Sequence, residues 1–182
     1  MHYISHYNSP LGEILLAADE KGLTGLWFEG AKYYARCLPV EHREGALPVL
    51  EEAKRWLDIY FTGQEPDFVP TLHITGSGFQ RDVWKILQEI PYGTITTYGA
   101  IAQKVVQQQN VQQMSAQAVG GAVGHNDIAL IIPCHRVVGV RGNLTGYVGG
   151  VDKKAALLRL EGIEMSDNGM GALPMWSLAH PL

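Results

Sequence analysis

The spacing of apolar residues changes character once along this chain, and that change limits the fold more than any single motif does. Segments at about residues 2 to 8, 12 to 19 and 23 to 29 are rich in β-formers. They are broken by Ser9-Pro10-Leu11-Gly12 and Asp19-Glu20-Lys21-Gly22, both turn-forming sequences, and predict an antiparallel meander. From Leu47 the period is helical: Leu47, Leu50, Ala53, Leu57 and Tyr60 or Phe61 mark one face of a helix that Thr62-Gly63 stops. The polar, proline-bearing stretch from Gln64 to Pro70 is the candidate domain boundary.

Past that stretch, Phe79, Val83, Trp84, Ile86, Leu87 and Ile90 predict a second amphipathic helix, ended by Pro91-Tyr92-Gly93. Thr94 to Thr97 reads as extended or turn-like, and Tyr98 opens a helix through about Val106. Gln107 to Gln113 is low in complexity and reads as a solvated connection. Ser115 then caps a small-residue helix from Ala116 to Val123. Two short helices joined by a polar turn, the second lined with Ala and Gly, fit a helix-turn-helix that approaches a surface closely, or tight helix-helix packing.

The chain's 182 residues suffice for one domain or two small ones, and 46% apolar with 18% charged residues is ordinary for a globular protein. No apolar run approaches the roughly 18 residues of a membrane span, so none is expected. The N-terminus lacks the basic start and apolar core of a signal peptide, which points to a reducing cytoplasm and against a structural disulfide. The net charge of -4 hides an uneven distribution: residues 1 to 72 carry 6 basic and 11 acidic side chains, residues 73 to 160 carry 8 basic and 4 acidic. That asymmetry fits an acidic accessory domain beside a nucleic-acid-facing one, or a chance split of surface charge.

Only Cys37 and Cys134 are present, and neither has partners at metal-ligand spacing, so no metal is expected. Cys134 stands between the strand-like Ile131-Ile132-Pro133 and the pair His135-Arg136. A thiol with an ordinary pKa of about 8.5 needs a basic neighbourhood to react at neutral pH, and His135 and Arg136 are placed to supply one. The competing reading is a buried small hydrophobe. Gly120-Gly121-Ala122-Val123-Gly124 lacks the lysine of a phosphate loop, whereas the glycines of residues 142 to 150, around Tyr147, permit backbone amides to approach a ligand.

Seven ordered blocks resemble the signature of the O6-alkylguanine-DNA alkyltransferase family, also called methylated-DNA–protein-cysteine methyltransferases. They are Phe79-Gln80-Arg81-Asp82-Val83-Trp84, Ile90-Pro91-Tyr92-Gly93, Thr97-Tyr98, Ala118-Val119-Gly120-Gly121-Ala122, Pro133-Cys134-His135-Arg136-Val137, Gly146-Tyr147-Val148-Gly149-Gly150 and Leu158-Arg159-Leu160-Glu161-Gly162. The resemblance implies an α/β (α+β) chain in three parts. Residues 1–75 form a ribonuclease-H-like domain with an antiparallel sheet and helix, and residues 76–164 a helical, winged-helix-like DNA-binding domain with a helix-turn-helix; residues 165–182 extend beyond the family pattern as a tail.

The implied activity is DNA repair by single-turnover transfer of an alkyl group from O6-alkylguanine, or O4-alkylthymine, to Cys134. No cofactor is implied; the partner is double-stranded DNA carrying the lesion, bound by a monomer. By resemblance His135 takes the thiol proton, Glu161 orients the imidazole, Tyr98 donates to the departing base and Asn126 braces the active-site loop. The carbonyls of Cys134 and Val137 face the exocyclic amine, and the amide of Val148 faces O6. Ala116, Gln117, Ala118 and Gly120, with Arg136, Tyr147 and Gly149, complete the substrate and DNA contacts.

The chain departs from the family at Gln117, where an arginine is usual, and at Gly124, where some members are basic; the loop before the recognition helix is several residues longer. Weaker duplex binding or base flipping than in arginine-bearing relatives follows as an expectation. A non-catalytic helix-turn-helix sensor of alkylated DNA is the alternative, and a cysteine hydrolase a further one.

Overall fold

The computed structural model describes residues 1–144, 146–147 and 149–164. The chain separates into two compact units: Met1–Gly76 with Asp127–Ile131, and Ser77–Asn126 with the described residues from Ile132 onward. The expected tail, residues 165–182, lies outside the described residues.

The first unit is built on β1 (His2–Ser9), β2 (Gly12–Asp19) and β3 (Gly22–Phe28), paired antiparallel through the expected turns. A short fourth strand, β4 (His42–Glu44), pairs parallel with β1, giving the order β3-β2-β1-β4. Its three residues His42, Arg43 and Glu44 are all exposed, so hydrophobic patterning carried no sign of it. Ile14 to Ala18 and the whole of β3 are buried, as happens where both faces of a sheet are covered.

Helix α1 (Pro48–Tyr60) packs Leu50, Ala53, Trp56, Leu57 and Tyr60 inward, with Pro48 in its first turn, where the missing N–H costs nothing. A second cluster gathers Ile4, Leu15, Ala17 and Trp27 beneath Ala35, Cys37 and Leu38. Glycine is required at position 25: a Cβ there would sit 1.9 Å from the Trp27 ring.

The outer edge of β3 would expose unpaired backbone groups. It is covered instead by hydrogen bonds with Thr71 and His73 around Leu23, and with Asp127 and Ala129 around Leu26. This pairing places Asp127–Ile131 with the first unit although the sequence boundary lies some 50 residues earlier. Ile131-Ile132, expected to be strand-like, is a turn segment, and Leu130 before it has φ of 68°.

The second unit packs α2 (Gly78–Gln88), α3 (Tyr98–Gln109) and α4 (Ala116–Gly124) against one another. Ser77 and Gln80 form a reciprocal capping box at the start of α2. Thr97 caps α3 and Ser115 caps α4, their hydroxyl oxygens accepting from the Ala100 and Ala118 amides. Trp84 donates its indole N–H to Ala122 O at 2.8 Å, locking α2 to α4. α3 runs past the expected end at Val106 because Gln107, Gln108 and Gln109 are good helix formers; it stops where Asn110 turns left-handed, at φ 53°.

Thr96–Thr97 (β5) pairs parallel with Val137–Val138 (β6), and α5 (Val151–Leu160) closes the unit. Ile95, Val138, Leu158 and Ile163 form its local core.

Candidate active site

Pro133 leads into a single 3-10 turn, Cys134–Arg136, that delivers three successive side chains into the interior of the second unit. Cys134, His135 and Arg136 are all buried, and His135 is wholly inaccessible. α5 meets this turn and carries Lys154, Leu157, Leu158 and, just past its end, Glu161 on one stripe, so two charged residues stand at core positions.

Glu161 is the hub. Its Oε2 accepts from His135 Nε2 at 2.5 Å, and its Oε1 accepts from Arg136 Nε at 2.8 Å and from the Gly93 amide at 3.0 Å. Gly93 reaches that position with φ of 75°, in the Pro91-Tyr92-Gly93 turn. Arg136 also donates from Nη1 to Ile90 O at 2.7 Å and lies over the Tyr92 ring. Burial alone would raise the Glu161 pKa, but its neighbours His135 and Arg136 hold it well below the usual carboxylate range. The carboxyl is therefore an anion, and an anion only accepts, so the shared proton belongs to His135 Nε2.

Burial, aided by the charges of Arg136 and Lys154, pushes the His135 pKa down against the pull of Glu161. The imidazole rests neutral, with Nε2 protonated and Nδ1 as its basic nitrogen. That is the protonation state of a general base.

Burial also pushes the Cys134 thiol up. It is opposed by a hydrogen bond from Asn126, by the positive charge of Lys154 and by backbone hydrogen bonding. Asn126 Nδ2 also donates to Ile132 O at 2.8 Å, so one amide braces the segment before the cysteine and faces its sulfur. Lys154 is fully buried, donates to Val137 O at 2.5 Å and stands 5.9 Å from the centre of the Tyr98 ring. Burial lowers its pKa to about 8.

The phenols of Tyr98 and Tyr147 are both raised, by burial first and by the Cys134 charge second. The Tyr147 hydroxyl is buried with no hydrogen-bond partner among the described residues. A Cβ at Gly146 would come 3.7 Å from the Tyr98 hydroxyl, and one at Gly149 would come 2.8 Å from the Tyr147 ring, so both glycines admit close packing around these phenols.

Asn126 thus faces Cys134, its chain neighbour His135 is bound to Glu161, and Tyr98, Tyr147 and Val137 adjoin these groups. Ala116, Gln117 and Ala118 are exposed on α4, whose Val119, Ala122 and Val123 face inward. Gly120 lies against Tyr98: a Cβ there would stand 3.8 Å from the ring. Val148 lies outside the described residues.

Arg136 differs from the expectation that placed it among the DNA contacts and beside the thiol. Its guanidinium is turned inward onto Glu161 and Ile90, and the cation that acts on Cys134 is Lys154. Local reading missed Lys154 because its partners are distant in sequence, although a lysine on the apolar stripe of a helix was a visible signal.

A neutral histidine held by a buried carboxylate follows in sequence a thiol whose anion an amide and an ammonium favour, a set of groups suited to a thiol nucleophile and its base. Both halves of the chain match models of one family: residues 2–73 the ribonuclease-like domain, and residues 78–163 the DNA binding domain, of 6-O-methylguanine DNA methyltransferase. The chain belongs to this family.

The chain is 38% identical over 169 residues to the methylated-DNA–protein-cysteine methyltransferase of Haemophilus influenzae, covering 92% of this chain and 90% of that one. It is 43% identical over 162 residues to the protein of the same name from Methanosarcina acetivorans, covering 88% and 98%. The crystal structure of Mycobacterium tuberculosis OGT in complex with DNA superposes with a TM-score of 0.77 at 38% identity, covering 87% of this chain and 92% of that one. Among the described residues no helix is long and apolar enough to cross a membrane.

Proposed function

We infer that the protein is a methylated-DNA–protein-cysteine methyltransferase that repairs O6-alkylguanine, and by the same chemistry O4-alkylthymine, by moving the alkyl group to Cys134. The observation that carries the reading is the relay itself, with His135 neutral, its Nε2 committed to Glu161 and Cys134 beside Asn126 and Lys154. A sensor that only binds alkylated DNA has no use for this arrangement.

In the reaction His135 Nδ1 takes the Cys134 proton, directly or through a water, and the thiolate attacks the alkyl carbon in line with the C–O6 bond. A carbon–sulfur bond forms as the carbon–oxygen bond breaks, and the electron pair goes to the guanine. Tyr98 donates its proton to the base as that charge develops and regains one from the His135 imidazolium through solvent, so the proton lost from sulfur is balanced by one gained on guanine. Glu161 stabilises the imidazolium formed in between. A thioether is a poor leaving site, so each molecule acts once.

The target atom lies inside a base stack, and the nucleotide must be extruded from double-stranded DNA to reach a buried sulfur. The exposed face of α4, with Ala116, Gln117 and Ala118, is the surface for that duplex. It carries no cation, so binding is weaker than with an arginine at position 117. The protein acts as a monomer, in the cytoplasm.

Incubation with a duplex bearing one O6-methylguanine, followed by peptide mass spectrometry, tests the reading. A gain of one methyl group on Cys134, in a one-to-one ratio and without turnover, is expected. Retained binding with no adduct would establish the sensor instead, and ester turnover a hydrolase.

A further inference from the structure

A cavity of about 470 Å³ lies within the second unit, along α3, and none of the chemistry above uses it. One wall is the stripe Gly99, Ala102, Gln103, Val106 and Gln107 of α3. The other is Gln112, Gln113, Met114 and Ala116.

We propose that this groove is an uncharged nucleotide-binding subsite, in which the carboxamides of Gln103, Gln107, Gln112 and Gln113 hold the DNA strand next to the extruded guanine. The inference deepens the reading of α4 as the DNA-facing helix and rests on it.

Position is the first argument. The groove ends at Ala116, the first residue of α4, and at Gly99, the neighbour of Tyr98, while Gly120 in the middle of α4 lies against the Tyr98 ring. It therefore continues the α4 surface from the point where the extruded base must pass.

Chemistry is the second argument. Every lining side chain is neutral, and four of them are glutamine amides. Each amide offers two donors and an acceptor, which suits the base edges and sugar oxygens of a distorted minor groove, where glutamine is a common reader. Val106 and Met114 add apolar surface for a sugar or base face. A volume of this size falls within the range of small-ligand sites.

The third argument is what the recognition helix lacks. With no cation on α4, this helix contributes no charge-assisted contact of its own, and the groove beside it offers neutral contacts in their place.

The test compares wild type with the triple variant Gln107→Ala/Gln112→Ala/Gln113→Ala, all exposed positions, using an alkylated duplex at several salt concentrations. Duplex affinity is expected to fall by roughly tenfold or more, with the salt dependence unchanged, because no phosphate-neutralising charge has been removed. Transfer from the free nucleobase O6-methylguanine, which has no flanking nucleotides, should persist. Unchanged duplex affinity, an equal loss with the free base, or an effect on self-association instead of DNA binding would overturn the proposal.

A second pair, Gln112→Lys/Gln113→Lys, gives an independent readout. A strand in the groove should make log affinity fall more steeply with log salt, by up to about 0.9 for each added charge. An unchanged slope would place the strand elsewhere. If wild type itself forms no adduct with either substrate, the transfer reading fails rather than the groove.

Discussion

The two cysteines sit in the two units, and both are raised by burial, yet their neighbours have opposite signs. Cys37 hydrogen-bonds to Thr24 O at 3.5 Å, and burial followed by the Asp127 carboxylate pushes its thiol up to about 12. Cys134 is the more deeply buried, but the groups that face it are an amide and an ammonium, which favour the anion. Burial sets the starting penalty for both; the charge of the nearest polar group decides which thiol gives up its proton when a base is offered.

The largest expected difference tests that asymmetry outright. Cys134→Ser should reduce transfer by more than about a thousandfold, as loss of a nucleophile does. Cys37→Ser should change it by no more than about twofold, within the range of ordinary non-site substitutions. Single-turnover kinetics with an alkylated duplex measure both. Comparable losses would break the comparison.

Next comes the carboxylate that only the second thiol's surroundings possess. Glu161→Gln leaves the buried Arg136 guanidinium without its counter-charge, and loss of one partner of such a pair costs about 3–5 kcal/mol of stability. Denaturant unfolding should show this, and the double variant Arg136→Met/Glu161→Gln should regain part of it. Because the Glu161 pKa is lowered on folding, its contribution is present above the ordinary value of 4.5 and is lost as pH falls below it. The Gln variant should accordingly lose less stability on acidification than wild type does.

Lys154 separates stability from activity at the same site. With its pKa lowered to about 8, the folded protein binds fewer protons than the unfolded chain between about 8 and the ordinary 10.5, so this residue makes stability rise with pH across that window. Lys154→Met should abolish the rise and make the protein more stable at neutral pH, since a buried ammonium is no longer required. Transfer should nevertheless drop by about 10- to 100-fold, as one pKa unit on the thiol corresponds to tenfold in thiolate. In wild type the rate should climb as His135 loses its proton, below the ordinary imidazole value, and decline near pH 8 as Lys154 loses its own. A falling limb that survives in Lys154→Met would refute this assignment.

These residues also mark how far the sequence could be read. The three meander strands and the faces of α1 and α2 follow from apolar period and turn residues, because each is settled by local burial. β4 had no such pattern: its residues are exposed, and backbone pairing alone makes it a strand. The resemblance to the family, rather than local pattern, singled out Cys134, His135, Asn126 and Glu161. The local reading set Arg136 beside the thiol by its nearness in sequence, and a 3-10 turn sends adjacent side chains in different directions. Lys154 acts across 20 positions of sequence, a relation that only the docking of α5 on that turn creates.

The smallest effect sharpens the comparison from the unreactive side. Asp127 is paired with Arg36 at 2.8 Å, and burial raises its pKa despite that pairing. Its charge is the second cause, after burial, of the high Cys37 pKa. Asp127→Asn keeps the shape and removes the charge, so Cys37 should label with iodoacetamide a few times faster at pH 8, a gain of about half a pKa unit. Burial, the larger cause, is untouched, which is why the gain is small. Alkylation of Cys134 should be unchanged, since its pKa answers to Asn126 and Lys154 rather than to Asp127. Equal acceleration at both sulfurs would mean that the substitution had loosened the protein, and that neighbouring charge was not what kept Cys37 silent.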